Sequence, residues 1–270
     1  MSIKTTIRKM AKKYAIKTNM KSITNYINEK LKIRPNKNEQ YFPQIKEELK
    51  DLMEKLIEER GNDGDFNDID TSEITDMERL FEGMKDFNGD ISCWNVSNVT
   101  DMGYMFGDCK SFNQDISDWD VSNVTDMIGM FWGCESFDQP LNDWNVSQVI
   151  RMNGMFYGCT SFNQPLDKWD VSKVKDMKFI FGECKSFNQD ICDWNVSNVT
   201  NMRDMFHDCY NFNHPLYKWD VSSVTDMGFM FWECTSFNQD ISNWDVSNVK
   251  SHVSMFSNCP IEQKYKPKFK

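Results

Sequence analysis

The sequence predicts an α/β repeat protein, a solenoid of about seven 25-residue coils with short strands, short helices and a helical cap at the N-terminal end. A tryptophan recurs every 25 residues, the residues between successive tryptophans are repeated as well, and no insertion interrupts this period. Such regularity is typical of coils whose fixed residues stack on their copies in the next coil. The tryptophans of this structural ladder lie 25 residues apart, at Trp94, Trp119, Trp144, Trp169, Trp194, Trp219 and Trp244.

The chain divides into four parts. Residues 1–37 form a basic arm, predicted to be partly helical or disordered, and residues 38–68 supply a capping helix and an acidic connector. The repeats occupy residues 69–260, and residues 261–270 form a basic tail. A hydrophobic content of 40% and an aromatic content of 14% exclude a disordered chain.

The capping helix is predicted from one apolar stripe. Ile45, Leu49, Met53 and Leu56 recur at steps of three and four residues, the spacing of one helix face. Gly61 follows the last of them and is placed to end the helix. A solenoid needs such a cap, because its first coil would otherwise expose an apolar face.

Each repeat unit is predicted to hold one short helix and one short strand. Met102, Met105, Phe106 and Cys109 have helical spacing. A strand centred on Phe112–Asn113 is preferred, and the partly β-branched stretch at 99–102 is the alternative.

The cysteines at a fixed position of the repeat are predicted to be buried apolar residues. Met84 occupies this position in the first unit, and Met replaces Cys well in a core but badly in a redox pair. No CxxC pair points to zinc, and an odd number of ladder cysteines argues against disulfides. Cys93 and Cys192 lie at variable positions and are expected to be exposed. The ladder cysteines are Cys109, Cys134, Cys159, Cys184, Cys209, Cys234 and Cys259.

The net charge of −10 conceals an asymmetry between the arm and the repeats. Residues 1–37 carry eleven Lys/Arg and one acid, which gives 11 − 1 = +10, whereas residues 61–260 carry twelve and thirty-two, which gives 12 − 32 = −20. The arm could solubilise the chain or contact nucleic acid or an anionic membrane. No apolar stretch resembles a signal peptide or a membrane span, so the sequence predicts an intracellular, soluble protein.

Catalytic, cofactor and metal sites are not predicted. The three histidines form no recognisable triad, and no phosphate-binding or dinucleotide-binding motif occurs. The repeated Asp76, Asp101 and Asp126 suggest calcium, but Arg151 takes the next place. A column of acids that accepts arginine does not indicate a tuned metal site.

Variable aromatic residues are the candidate partner-binding surface. In four of six units an aromatic residue at the position of Tyr104, or three residues later, is matched by glycine at the other of the two positions. The pattern indicates either packing between coils or a semi-exposed aromatic ridge of the kind that interfaces favour. Phe229 and Trp232 are both aromatic, without a glycine at either position, so exposed aromatic side chains are most expected at 229–232. The candidates are Tyr104, Trp132, Tyr157, Phe179, Tyr210, Phe229 and Trp232.

The repeat resembles a known family. The segment "MFGDCKSFNQDISDWDVSNVTDM" is similar to the repeat of BspA-like leucine-rich-repeat surface proteins, and more closely to the 25-residue repeat of mycoplasma-type lipoproteins. The stretch before the repeats resembles the leader of such repeats in bacterial and giant-virus proteins. The resemblance covers about residues 69–260 and implies a right-handed, leucine-rich-repeat-like solenoid that serves adhesion or protein binding.

Together these observations predict a non-enzymatic scaffold that binds an unidentified protein partner through its variable surface positions, with no small-molecule substrate. Two alternatives stay open. The repeats could be a structural or antigenic array, or the basic arm could carry the function by binding nucleic acid or an anionic membrane.

Overall fold

The computed structural model describes residues 41–270. The basic arm, residues 1–37, lies outside the described part of the chain.

Helix α1 spans Lys46–Arg60 and packs on the first repeat unit. Leu49, Met53 and Leu56 are fully buried on the face of α1 that meets the core. Ile45, which the apolar stripe included, is 53% exposed because it precedes the first helical residue.

Ion pairs tie the start of α1 to the first unit and its end to the connector. Lys46 Nζ lies 2.6 Å from a carboxylate oxygen of Asp76, and Arg60 lies 2.8 Å from a carboxylate oxygen of Asp68. Gly61 ends the helix with a φ of 79°, and its N–H donates to the Ile57 carbonyl. Glycine reaches this left-handed region without a steric penalty, which explains its place here.

Consecutive units are joined by backbone hydrogen bonds between equivalent positions. Single-residue parallel bridges link Asp76 to Asp101 and then every twenty-fifth residue as far as Ser251. Around each bridge, up to four alternate N–H groups donate to carbonyls of the next unit. In the unit that begins at Trp94 these bonds run from Met102 to Asp126 (2.9 Å), Tyr104 to Ile128 (2.7 Å), Phe106 to Met130 (2.9 Å) and Asp108 to Trp132 (2.6 Å). We call this set of bonds, repeated along the chain, the backbone ladder.

The ladder segment is a series of turns and not the predicted short helix. Met105 N–H donates to the Met102 carbonyl at 3.1 Å, and Cys109 N–H donates to the Phe106 carbonyl at 2.9 Å. An α-helix requires negative φ at each residue. Here φ is 50° at Tyr104 and 57° at Asp108, in the following turn. Turns of three residues also bring residues three and four apart to one side, so they produce the spacing that suggested a helix.

The preferred strand at Phe112–Asn113 is not observed, because side chains replace backbone pairing there. Asn113 N–H donates to the side-chain oxygen of Asn88 at 2.9 Å, and the oxygen of Asn113 in turn accepts the N–H of Asp138 at 3.0 Å. Backbone pairing lies instead at Asp101, within the alternative stretch at 99–102.

The core is built from columns of stacked rings. Within one unit the Phe106 and Phe112 ring centroids lie 3.9 Å apart. Between units, Phe106 stacks on Phe131 at 5.6 Å and Phe112 on Phe137 at 5.9 Å. Because each ring contacts its copies, the order of one unit depends on its neighbours.

The C-terminal tail packs on the last unit. Ile261 is buried, and a 3-10 helix, η1, follows at Gln263–Tyr265. The Tyr265 carbonyl accepts the N–H of Ile241 at 3.0 Å, and Glu262 N–H donates to the side-chain oxygen of Asn238 at 2.9 Å. The tail therefore continues the series of bonds in which an N–H donates to a side-chain oxygen of the preceding unit, as Asn113 does to Asn88.

Glycines in the ladder turns give a first testable prediction. Gly158 has a φ of 73°, and a Cβ built there would meet the backbone of Gly133, with the Cα at 3.5 Å and the nitrogen at 3.7 Å, which are ordinary contacts. We expect Gly158→Ala to destabilise by about 1–2 kcal/mol through the left-handed backbone alone. At the equivalent Asp108, with φ of 57°, glycine should instead stabilise, by less than about 1 kcal/mol because aspartate tolerates this conformation better than most residues. Urea unfolding of both variants checks this, and equal shifts in the same direction would contradict it.

Candidate protein-binding surface

The aromatic and glycine residues of the candidate surface share a left-handed backbone. The sequence pattern left open packing between coils or a semi-exposed ridge, and neither interpretation included the positive φ that this column has throughout the central units. The values are 50° at Tyr104, 54° at Gly129, 65° at Gly154, 62° at Phe179, 55° at Asp204 and 57° at Phe229. Glycine adopts this conformation freely, whereas a bulky side chain adopts it at a cost.

Volume compensation also operates, but between consecutive units. A Cβ built on Gly129 would lie 2.4 Å from the Tyr104 ring, and one on Gly154 would lie 2.8 Å from the Trp132 ring. Gly182 stands in the same relation to Tyr157, at 2.9 Å. Each aromatic ring therefore covers the glycine of the following unit, which favours the packing interpretation for the inner face of these rings.

Four of the candidate residues form one continuous group, which we call the first aromatic cluster: Tyr104, Trp132, Tyr157 and Phe179. Tyr104 and Trp132 have ring centroids 6.4 Å apart, and Trp132 stacks on Tyr157 at 4.1 Å. Phe179 meets the edge of Tyr157 at 5.6 Å. All four are half-buried, so each presents one side to solvent.

A second aromatic cluster contains His207, Phe229 and Trp232. Trp232 lies 4.7 Å from the His207 ring and 6.3 Å from the Phe229 ring, which it meets edge-on. The 229–232 patch was expected to hold the most exposed aromatic residues, but Phe229 and Trp232 are half-buried like the four rings of the first cluster. Histidine occurs once in its column, so no pattern in the repeat indicated that His207 belongs with them.

Charged groups surround the second cluster. Arg203 lies 4.9 Å above the Phe229 ring and 3.3 Å from a carboxylate oxygen of Asp204. His207 Nε2 lies 3.1 Å from a carboxylate oxygen of Asp208. Burial raises the pKa of both the Asp204 and the Asp208 carboxyl groups. Rings and carboxylates at one place suit a partner that presents cationic or aromatic side chains.

The first cluster has the same chemistry. Arg79 lies 4.6 Å above the Tyr104 ring, and Lys178 lies 4.6 Å above the Phe179 ring. The hydroxyl of Tyr157 donates to a carboxylate oxygen of Glu183. Burial, followed by the hydrogen bond to that carboxylate, raises the pKa of the Tyr157 phenol.

Tyr210 differs from the other candidates in being exposed, at 38%. Its N–H donates to the Asp208 carbonyl at 3.0 Å, and the charge of Asp208, which also lies 3.1 Å from His207 Nε2, raises the pKa of its phenol. Sequence reasoning did not select Tyr217, which is 53% exposed, or Ile150, which is 47% exposed. Both lie at positions occupied elsewhere by polar residues, and nothing in the repeat pattern distinguishes them.

Variable charges before the tryptophans pair between neighbouring units. Lys168 Nζ lies 2.8 Å from an oxygen of Asp143, and Lys218 Nζ lies 2.6 Å from an oxygen of Asp193. These side chains are largely exposed, so water and salt screen the pairs and each pair contributes little to stability. The changing charges therefore satisfy one another across the interface between units.

The Trp ladder is buried and hydrogen-bonded. The ladder tryptophans are 3–4% exposed. The indole N–H of Trp169 donates to the Leu141 carbonyl at 2.9 Å, and Trp194 repeats the bond to Leu166 at 2.9 Å. A buried indole N–H needs such a partner, and the fixed period supplies it.

The Cys ladder carries a hydrogen bond that sequence reasoning missed. Cys134 Sγ lies 2.9 Å from the Phe106 carbonyl oxygen, and Cys159 Sγ lies 3.0 Å from the Phe131 carbonyl oxygen. All nine cysteines are free thiols. Burial raises the pKa of the Cys109 thiol to about 12 and that of Cys134 well above its ordinary value. These thiols are therefore protonated donors that join one unit to the previous one.

Two further cysteines were expected to be exposed. Cys93 is half-buried, but Cys192 is only 5% exposed, so the prediction is wrong for Cys192. A thiol is short and apolar enough to remain inside this turn. The equivalent Asn142 and Asp167 are polar and reach solvent.

The repeated aspartates act within turns. The side-chain oxygen of Asp101 accepts the N–H of Gly103 at 2.9 Å, and Asp126 accepts that of Ile128 at 2.9 Å. Arg151 makes no such bond and pairs instead with Asp126. Within residues 41–270 no group of three His, Cys, Asp or Glu side chains is placed to hold a metal ion. None of the helices in that range has the length and apolar character needed to cross a membrane.

Comparison with known proteins places this repeat in a family. The family model described as "Mycoplasma protein of unknown function, DUF285" matches residues 50–169 and again residues 152–268. Neither the curated proteins nor the solved structures include a match. The two matches together span nearly all the described residues, and they agree with the 25-residue mycoplasma-type repeat. The chain is a repeat protein and belongs to the DUF285 family.

Proposed function

We propose that this chain is a non-enzymatic scaffold that binds a protein partner through its two aromatic clusters. The observation that carries the proposal is the continuity of the first cluster. Its four half-buried rings come from four consecutive units and contact one another in sequence order. Aromatic residues in such positions are the side chains that most often dominate binding free energy at interfaces.

A stiff frame supports this function. The backbone ladder and the stacked phenylalanines fix the separation of consecutive units, so the rings are held in place before any partner arrives. Preorganised side chains lose little conformational entropy on binding. We further propose that the units coil as a right-handed, BspA-like leucine-rich-repeat solenoid, an arrangement suited to a long recognition surface.

One observation favours the alternative of a structural array. The variable charges before the tryptophans pair with each other inside the chain, as Lys168 does with Asp143. Residues that satisfy one another need no external partner. A structural array would account for the inner faces of the half-buried aromatic rings, which cover the glycines of the following unit, but not for the sides that they present to solvent.

The repeat itself supplies variants that remove rings without disturbing the backbone. Glycine occurs naturally in both ring-bearing columns, so Phe179→Gly, Phe229→Gly and Trp232→Gly place a residue already tolerated at equivalent positions. The matched control is Ile150→Thr with Tyr217→Ser. It removes exposed apolar side chains elsewhere and also uses residues found at equivalent positions.

The test is affinity capture from the native cell lysate with the full chain, the triple glycine variant and the control variant, each first shown to be folded. We expect a protein partner that the full chain and the control retain and the triple variant loses. For the purified partner, the dissociation constant should rise by at least about thirty-fold, the effect of losing an interface hot spot. Retention of every captured protein by the triple variant would contradict the proposal.

A further inference from the structure

The last unit ends in an open edge of the backbone ladder. In the preceding unit, four alternate N–H groups donate to carbonyls of the last unit. These bonds run from Met227 to Ser251 (2.8 Å), Phe229 to Val253 (2.8 Å), Phe231 to Met255 (2.9 Å) and Glu233 to Ser257 (2.9 Å). The corresponding N–H groups of the last unit belong to His252, Ser254, Phe256 and Asn258, which we call the donor edge. None of the four has an acceptor among residues 41–270.

The donor edge keeps the conformation of the ladder. Ser254 has a φ of 52° and Asn258 a φ of 56°, matching the equivalent positions of earlier units. His252, Ser254 and Asn258 are exposed. When the backbone alternates between right-handed and left-handed conformations, its successive N–H groups form a concave site for hydrogen-bond acceptors.

The tail closes the rest of this end but leaves the donor edge uncovered. Tyr265 and Glu262 continue the contacts on the other side of the unit, at Ile241 and Asn238. Phe269 stacks on the His252 side chain at 4.0 Å, and Lys266 lies 5.3 Å from the centre of the Phe256 ring. These contacts cover side chains and use none of the four N–H groups.

The charge of this end is opposite to that of the repeats as a whole. Residues 245–270 contain five lysines and two acids, which gives 5 − 2 = +3, against −20 for residues 61–260. Lys268 and Lys270 lie beyond the last unit and make no ion pair with another described residue. A ligand for this end should therefore carry acceptors for the N–H groups and negative charge for the lysines.

We propose that the donor edge binds an extended acidic peptide segment of a partner protein. Four donors in a row cannot pair with a second copy of the same edge, which excludes a symmetric dimer through it. The preceding interface shows what fits: alternate backbone carbonyls along about seven residues, as from Ser251 to Ser257. Addition of a chain to an open backbone edge, with side chains setting specificity, is a general mode of peptide recognition. The proposal is independent of the aromatic clusters.

The test uses the full chain labelled for residue-resolved amide hydrogen exchange, with a synthetic ten-residue peptide of alternating Glu and Ala as the probe. The basic arm would also attract this peptide, so binding is read only from the protection of the four donor-edge amides, at about 0.1 M salt, where the charges of Lys268 and Lys270 still act. At a peptide concentration of ten times the measured dissociation constant, exchange at His252, Ser254, Phe256 and Asn258 should slow about ten-fold. Exchange at the internal control amides of Met227, Phe229, Phe231 and Glu233 should not change.

Variants and a second probe separate recognition from general attraction. Lys268→Gln with Lys270→Gln should weaken peptide binding by about three-fold for each lysine. An alternating Lys and Ala peptide should leave the donor edge unprotected. Equal protection by polyphosphate, which presents no backbone carbonyls, would overturn the proposal for a peptide.

The state of the free protein is also informative. Fast exchange at the four donor-edge amides before peptide addition supports the proposal. If exchange of these amides is already slow in a monomer, residues 1–40 occupy the donor edge. If their exchange becomes slow only when an oligomer forms, a second copy of the chain occupies it. Either result would replace the acidic peptide as the occupant.

Discussion

Raising the pH above about 8.5 is expected to unfold the repeats, because six thiols that stay protonated while buried lose their protons once the chain unfolds. Burial raises the pKa of the Cys109 thiol to about 12, and it raises the pKa values of the other five above their ordinary range. The folded state therefore holds protons that the unfolded chain releases. Stability is complete below the unfolded pKa and is lost as the pH rises toward the folded values.

The size of the effect follows from the number of thiols. Each one removes about 1.4 kcal/mol of folding free energy per pH unit above about 8.5, so six remove about 8 kcal/mol per pH unit. The total stability of a domain is about 5–15 kcal/mol. Unfolding should therefore be complete within about two pH units of the thiol pKa.

Urea unfolding between about pH 7 and about pH 10, followed by tryptophan fluorescence, measures the loss. Cys159→Ala is the matched variant, since it removes one thiol from the middle of the ladder. The variant should be less stable than the parent at neutral pH because of the cavity, yet its stability should fall less steeply by about 1.4 kcal/mol per pH unit. Identical slopes for parent and variant would show that the ladder thiols do not control alkaline unfolding.

Much of the core was predictable because its residues do not vary. The fixed Trp, Phe, Val, Met and Cys positions are buried in almost every unit, and a 25-residue period without insertions requires each to meet its own copy. Trp169 and Trp194, for example, stack with ring centroids 6.4 Å apart and nearly parallel planes. Strict repetition thus conveys tertiary contacts that a non-repetitive sequence would conceal.

The local backbone was not predictable from the same pattern. Met102, Met105, Phe106 and Cys109 have helical spacing, but consecutive turns with positive φ at Tyr104 satisfy that spacing equally well. A single Gly129 in the column of Tyr104 admits two explanations, reduced volume or left-handed backbone. The structure contains both, since the Tyr104 ring covers Gly129 and φ at Gly129 is 54°.

The hydrogen bonds between units were also beyond sequence reasoning. A cysteine classified as apolar donates to a carbonyl, as Cys134 does to Phe106. An asparagine assigned to a strand accepts an N–H through its side chain, as Asn88 does from Asn113. The donor and acceptor of each bond are about 25 residues apart, so only the three-dimensional arrangement identifies them.

Removing one tryptophan from the middle of the ladder should destabilise the chain by about 3–5 kcal/mol. Trp169 is 3% exposed, lies 6.1 Å from the Phe156 ring and stacks on Trp194. Trp169→Ala leaves a large cavity between two units. The Leu141 carbonyl loses the indole donor but keeps the N–H of Trp144 at 3.0 Å, so the lost packing and not an unpaired acceptor should dominate.

Two further substitutions distinguish these contributions. Trp169→Phe keeps an aromatic ring and removes the indole N–H, so it should destabilise by less, about 1–2 kcal/mol. Tyr217→Ser, at a position 53% exposed, should change stability by no more than about 0.5 kcal/mol. Urea unfolding monitored by circular dichroism gives all three values. An equal loss for Trp169→Phe and Trp169→Ala would assign the stability to the hydrogen bond.

The position of the lost tryptophan should also determine how far the damage spreads. Trp169 contacts aromatic rings of the units on both sides, whereas the ring contacts of Trp244 are with the preceding unit, to Trp219 at 6.2 Å and Phe231 at 6.4 Å. Stability in such arrays is a sum of unit terms and nearest-neighbour terms. Trp169→Ala should therefore accelerate amide exchange in the units on both sides, and Trp244→Ala only near the C-terminal end. Uniform acceleration along the whole chain in both variants would mean that the repeats unfold as one cooperative block, with coupling between units stronger than any single ring contact.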